Sequence, residues 1–92
     1  MKNKTCLITG ATAGIGLETA RQLAQQGFDI YITGRSEQKA VDALQQINQA
    51  APEKGKGYFL CDFSSQNSIQ EAAQKIRNTI TELNVLVNNA GS

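Results

Sequence analysis

Histidine is absent from this sequence, and with it the commonest metal ligand and the usual general base near neutral pH. Cysteine is scarce: Cys6 and Cys61 lie far apart and neither belongs to a CxxC pair, which argues against a zinc site. Each sits in an apolar stretch, where a reduced and buried thiol is the expected state. Long apolar runs are missing as well. The opening Met1-Lys2-Asn3-Lys4-Thr5-Cys6-Leu7-Ile8 has too few consecutive apolar residues for a signal peptide or a membrane span. The expected compartment is therefore cytoplasmic, with no membrane partner. Excess charge is lacking too. Nine Lys and Arg against eight Asp and Glu leave a net charge of +1, which gives no electrostatic reason to expect nucleic acid.

What remains is a chain of 92 residues, 40% hydrophobic and 18% charged, which is the balance of a soluble globular domain or part of one. A chain this short buries only roughly 60% of its unfolded surface, so its stability margin is expected to be small.

Four short apolar runs punctuate it: Cys6-Leu7-Ile8, Ile30-Tyr31-Ile32, Tyr58-Phe59-Leu60-Cys61 and Val85-Leu86-Val87. None alternates with polar residues, so each is expected to be a strand buried on both faces, as in a parallel sheet. Between them, helical spacing links Leu17, Ala20, Leu23 and Ala24 from Gly16 to Gln26, with Gly27 as the left-handed stop. A second helix takes Ser36 as its N-cap and Ala40, Val41, Leu44 and Ile47 as its face, ending before Pro52. A third starts at Ser65 or Ser68 and carries Ile69, Ala72, Ala73, Ile76, Ile80 and Leu83. Gly55-Lys56-Gly57 reads as a turn. The order β-α-β-α-β-α-β with right-handed crossovers predicts an α/β fold, half of a doubly wound sheet. Its four parallel strands should lie in the order 3-2-1-4, joined by three crossover helices.

The segment Thr9-Gly10-Ala11-Thr12-Ala13-Gly14-Ile15-Gly16 falls between the first strand and the first helix. A strand that turns at once into a helix aims the free N–H groups of that helix beyond the sheet edge, which suits a phosphate. Gly10, Gly14 and Gly16 allow the turn and the close approach, Ala13 and Ile15 lie within it, and Thr12 offers a hydroxyl. A Walker loop is excluded, because no Gly-Lys-Ser/Thr follows.

About 20 residues further on, at the end of the second strand, an acidic residue would accept from a ribose 2′-hydroxyl and an arginine would favour a 2′-phosphate. Here stand Gly34-Arg35-Ser36. Arg35 can grip a phosphate with a forked pair of charged hydrogen bonds, and Ser36 sits beside it. NADP is thus favoured over NAD, and a methyltransferase cofactor is disfavoured; a solvated loop arginine is the alternative. Asp62, after the third strand, could accept from an adenine amino group, or could open a capping stretch in Asp62-Phe63-Ser64-Ser65. In Asn88-Asn89-Ala90-Gly91 the amides can serve structure or ligand. Asn88 is assigned to structure and Asn89 to the ribose side, with Ala90 and Gly91 letting the chain pass close to a flat ligand.

These residues resemble the short-chain dehydrogenase/reductase family. Thr9-Gly10-x-x-x-Gly14-Ile15-Gly16 matches its TGxxxGIG, Asn88-Asn89-Ala90-Gly91 its NNAG, and Asp62 the Asp after its third strand. The stretch from Asp62 to Leu83 looks most like the retinol-dehydrogenase-like branch. Asn84 stands where many members carry Asp. The resemblance implies hydride transfer between a nicotinamide cofactor and a small alcohol or carbonyl. In that family a Tyr-x-x-x-Lys pair with a Ser does the chemistry, downstream of NNAG. Tyr31 and Tyr58 are not followed by Lys four residues on, and Ser92 is misplaced for the role. The reading is therefore an N-terminal NAD(P)-binding portion over residues 1–92, with no catalytic residue of its own. A stand-alone nucleotide-binding module and an inactive remnant are the alternatives. Stopping after the fourth strand should also leave an apolar edge, with marginal stability or self-association as the consequence.

Overall fold

A computed structural model describes residues 4–89. Its elements follow the expected order: β1 (Thr5–Ile8), α1 (Gly14–Gln25), β2 (Asp29–Gly34), α2 (Glu37–Ala50), β3 (Gly55–Leu60), α3 (Gln66–Thr79) and β4 (Val85–Val87). All strands are parallel, in the order β3-β2-β1-β4. The connection from β3 to β4 passes over β2 and β1, which places the reversal of winding between β1 and β4.

The helices end where local chemistry tells them to. Ser36 caps α2 by accepting from the Lys39 N–H at 3.3 Å, and Ser65 caps α3 by accepting from Ser68 N–H at the same distance. Ser68 is thus not the cap; its hydroxyl accepts from the Asp62 N–H at 2.8 Å. Beyond α1, Gly27 has φ 102°, the left-handed conformation that glycine adopts without strain. α1 starts at Gly14, two residues earlier than its apolar spacing suggests, and α3 stops at Thr79, leaving Ile80 and Leu83 outside it.

Cys6, Ile8, Ile30 and Ile32 fill one face of the sheet against Ala20, Ala24, Ala43 and Ile47 of α1 and α2. The four isoleucines Ile8, Ile30, Ile32 and Ile47 are fully buried, each contributing about 1.5–3 kcal/mol of apolar transfer. Leu7, Tyr31, Thr33 and Phe59 alternate with that set and belong to the opposite face, where the Tyr31 and Phe59 rings stack at 5.7 Å. α3 lies against β3.

Two expectations are corrected. Gly55-Lys56-Gly57 is not a turn but the start of β3. Asn48 of α2 makes this possible: its side chain accepts from the Gly55 N–H at 2.8 Å and its amide lies 3.4 Å from the Gly55 carbonyl. The turn comes earlier, where Glu53 takes φ 68° and Lys54 N–H bonds back to Ala51. Burial on both faces holds for most of β1 and β2 but not for the outer strands, where Leu60 and Leu86 are exposed. The reason is position: a strand at the margin of a four-stranded sheet has helices over only part of its surface.

At the other end of β4, Thr5 and Asn84 exchange two bonds. Thr5 N–H reaches Asn84 Oδ1 at 2.8 Å, and Asn84 N–H reaches the Thr5 carbonyl at 3.0 Å. The side-chain oxygen at position 84 sets the register of β4, a role for which an amide suffices.

Candidate cofactor site

The site lies at the carboxyl ends of the strands. A cleft of about 420 Å³ is lined there by residues that include Gly10, Thr12, Arg35, Asp62, Phe63 and Asn89. These come from four different strand ends. The size suits part of a nucleotide rather than a single ion.

Its floor is the loop after β1, held from both sides. From β2, Thr33 Oγ1 accepts the Gly10 N–H at 3.1 Å and the Thr33 carbonyl accepts the Ala11 N–H at 3.3 Å. From β4, Asn89 Nδ2 donates to the Gly10 carbonyl at 3.2 Å. Thr9 joins the same frame: its hydroxyl lies 3.2 Å from Asn88 Oδ1 and accepts the Asn89 N–H at 2.9 Å. Asn88 therefore serves the structure, as expected, while Asn89 both braces the loop and lines the cleft.

Glycine is required for two separate reasons. Gly10 and Gly14 have φ of 64° and 61°, which L side chains rarely adopt. Gly16 is different: a Cβ there would lie 2.5 Å from Asn89 Nδ2 and 2.8 Å from the Gly10 carbonyl. At Gly34 the constraint is softer, since a Cβ would meet only a side-chain tip, Thr12 Cγ2 at 2.5 Å.

The start of α1 carries the site's clearest chemical signal. Its N-cap is Ala13, and no side chain bonds to the helix end there, whereas α2 and α3 each have a serine cap. The N–H groups of Gly14, Ile15 and Gly16 have no carbonyl one turn back within the helix. They make an electropositive end that an anion can complete. Ile15 beside them is 81% exposed.

Across the cleft, Asp62 Oδ1 accepts from the Ser64 hydroxyl at 2.7 Å and from the Ser64 N–H at 3.0 Å. These two bonds, foremost the hydroxyl, hold its carboxyl below the usual carboxylate range, with the nearby Arg35 charge acting in the same direction. The Asp62–Ser65 stretch is thus a turn before α3, and Asp62 Oδ2 takes no part in those two bonds. Cys61 lies behind it, and burial pushes its thiol up.

The cleft gathers Gly10, Thr12, Arg35, Asp62, Phe63 and Asn89 from the expected set. Ala13, Gly14, Ile15 and Gly16 form the helix start next to it. Ser36 is turned to another task, since its oxygen caps α2, although its hydroxyl proton is still available. Ala90 and Gly91 lie outside the described residues. Sequence reasoning missed Thr33 and Gly34; a polar residue and a glycine closing an apolar strand were the available signal. Among the described residues no group of three or more His, Cys, Asp or Glu could hold a metal, and no helix is long and apolar enough to cross a membrane.

A parallel sheet with its winding reversed beside a glycine loop and an uncapped helix defines the doubly wound nucleotide-binding class. The sequence pattern of the short chain dehydrogenase family matches residues 4–92, and the chain belongs to that family. It is 42% identical over 92 residues to the short-chain dehydrogenase/reductase prx1 of Penicillium rubens, covering 99% of this chain and 26% of that protein. It is 34% identical over 89 residues to human polyprenol dehydrogenase, covering 97% of this chain and 27% of the relative. Among solved structures, an actinorhodin polyketide ketoreductase with NADPH superposes with a TM-score of 0.82 at 32% identity, covering 98% of this chain and 34% of that one. The chain thus spans about a quarter of the length of these curated relatives.

Proposed function

We propose that residues 1–92 are the NADP(H)-binding portion of an oxidoreductase that moves a hydride between the nicotinamide and a small alcohol or carbonyl. One observation carries this reading: the uncapped start of α1 and Arg35 sit at the same end of the sheet, about as far apart in sequence as a pyrophosphate site and a ribose site require. The nicotinamide, when bound, supplies the hydride chemistry. This chain's part is to bind and orient. Gly14, Ile15 and Gly16 offer backbone N–H groups to the pyrophosphate, with Gly10, Ala13 and the Thr12 hydroxyl beside them. Arg35 and Ser36 take the 2′-phosphate, Asp62 and Phe63 the adenine, and Asn89, with Ala90 and Gly91, the second ribose. The absence of a Cβ at Gly16 fits this, because the loop closes there against Asn89 and the Gly10 carbonyl with no room for a side chain.

No residue in 1–92 is assigned to catalysis, so turnover depends on groups outside this stretch. The ketoreductase with NADPH supports the choice of cofactor by likeness. Two buried, unpaired thiols suit a reducing compartment, the cytosol.

Calorimetric titration with NADPH and NADH tests the reading. Arg35→Ala removes a charged pair of hydrogen bonds worth about 1.5–3 kcal/mol, a loss of roughly 10–100-fold for NADPH and little for NADH. Equal affinity of the wild type for the two cofactors, or no effect of the substitution, would remove the 2′-phosphate assignment. Binding of neither would remove the cofactor assignment altogether.

A further inference from the structure

Glu37 sits awkwardly for a phosphate site. It stands two residues beyond Arg35, in the first turn of α2, where an acidic side chain favours the positive end of the helix. The same charge opposes a phosphate at the end of β2, and it can compete for the Arg35 guanidinium. In the structure the carboxylate is held elsewhere. Tyr58 donates its hydroxyl proton to Glu37 Oε2 at 2.7 Å. Tyr58 lies on β3 opposite Ile32 of β2, and its ring packs against the buried cluster that α1 and α2 cover. The hydrogen bond to Glu37 shifts loss of the phenol proton to higher pH, so Tyr58 stays a donor across the neutral range. Glu37 is not among the residues that line the cleft with Arg35.

We propose that Tyr58 is a positioning residue for cofactor choice: its hydroxyl ties the Glu37 carboxylate to the β3 side and keeps that charge away from the 2′-phosphate and from Arg35. This rests on the NADP(H) reading above. The ring packs against the buried cluster while the Glu37 side chain is exposed, so the anchor is Tyr58 and the restrained partner is Glu37. A merely structural bond, one that pins the start of α2 to the sheet, would weaken both cofactors alike. A bond that parks a charge changes their ratio. Because the pair is solvent-exposed, it adds little to stability, and Tyr58→Phe is expected to fold.

The test is titration of the full chain with NADPH and with NADH, in the wild type, Tyr58→Phe, Glu37→Gln and the double variant. Coulomb repulsion at a solvated, screened distance predicts that Tyr58→Phe lowers the NADPH preference about threefold. Glu37→Gln in that background restores it, because the amide has no charge to release. Glu37→Gln alone keeps the preference at or above that of the wild type. An unchanged ratio in Tyr58→Phe, an equal loss for both cofactors, or a double variant no better than Tyr58→Phe overturns the proposal. If the wild type itself shows no NADPH preference, the Arg35 assignment has failed instead, and this proposal falls with it.

Discussion

Gly16→Ala adds one methyl group at a place where the structure has no room for it. The new Cβ would sit 2.5 Å from Asn89 Nδ2, 2.8 Å from the Gly10 carbonyl oxygen and 3.1 Å from Ala11 Cα. A flexible side chain could yield to such a contact, but two of these three atoms are backbone. That backbone is itself held, by Thr33 on one side and by Asn89 on the other. Overpacking of this kind costs about 1–3 kcal/mol. Against it, alanine recovers roughly 0.5–1 kcal/mol of helix preference over glycine. The net expectation is a loss of about 1–2 kcal/mol, seen as a drop in Tm of roughly 5–15 °C for a chain of this size. Dinucleotide affinity should fall by tenfold or more, because the shifted loop misdirects at least one charge-assisted hydrogen bond. Gly27→Ala is the matching control. It imposes strain at φ 102° with open space around the Cβ, and it lies at the far end of α1. Its stability should fall by about 1–2 kcal/mol while cofactor affinity is unchanged. Thermal unfolding and calorimetry on the two variants decide the matter. A Gly16→Ala protein that binds NADPH as tightly as the wild type would refute the account of why the loop is built this way.

Two further expectations follow from the edges of the sheet. Among the described residues β4 pairs only with β1, and Leu86 on it is 58% exposed, so residues 1–92 should self-associate through this strand. Leu86→Lys should shift sedimentation toward monomer, and a wild type already monomeric at high concentration would sink the idea. Asp62, whose carboxyl is held low in the folded chain, contributes stability above the unfolded value near pH 3.9, and that contribution is lost as the pH falls through the lower folded value. The urea midpoints of wild type and Asp62→Asn should therefore converge below about pH 4, and a gap that persists to about pH 2 would count against it.

How much of this was readable beforehand depended on the range of the interaction concerned. Ser36 and Gly27 act on their own helix ends, and both could be placed from neighbours a few residues away. The strand order followed from the sequence of elements and the handedness of crossovers, without any knowledge of contacts. Gly55-Lys56-Gly57 was misread because glycine is a turn residue by local rules. Its strand conformation depends on Asn48, which reaches back from α2 to satisfy the Gly55 backbone. Thr33 and Gly34 were overlooked for a similar reason. Each is defined by what it meets across the sheet end, Gly10 for one and Thr12 for the other. Asp62 had two readings, a turn and an adenine contact, and the structure shows the turn, made by Oδ1.

On the proposed reading, the uncapped start of α1 exchanges helix stability for binding. A serine, threonine or aspartate at position 13 would stabilise the helix by about 1 kcal/mol, as serine does for α2 and α3. It would do so by occupying the N–H groups that the proposed pyrophosphate contact would use. Ala13 supplies no oxygen, so the chain leaves this helix end to water, and an arriving anion would meet N–H groups that no side chain occupies. The surrounding frame tolerates this because the loop is fixed by other means: Thr33 holds Gly10 and Ala11, and Asn89 holds Gly10 from the opposite strand. Bracing by β2 and β4 thus orders the loop without a cap, and on the proposed reading the positive end of α1 is left open to a phosphate.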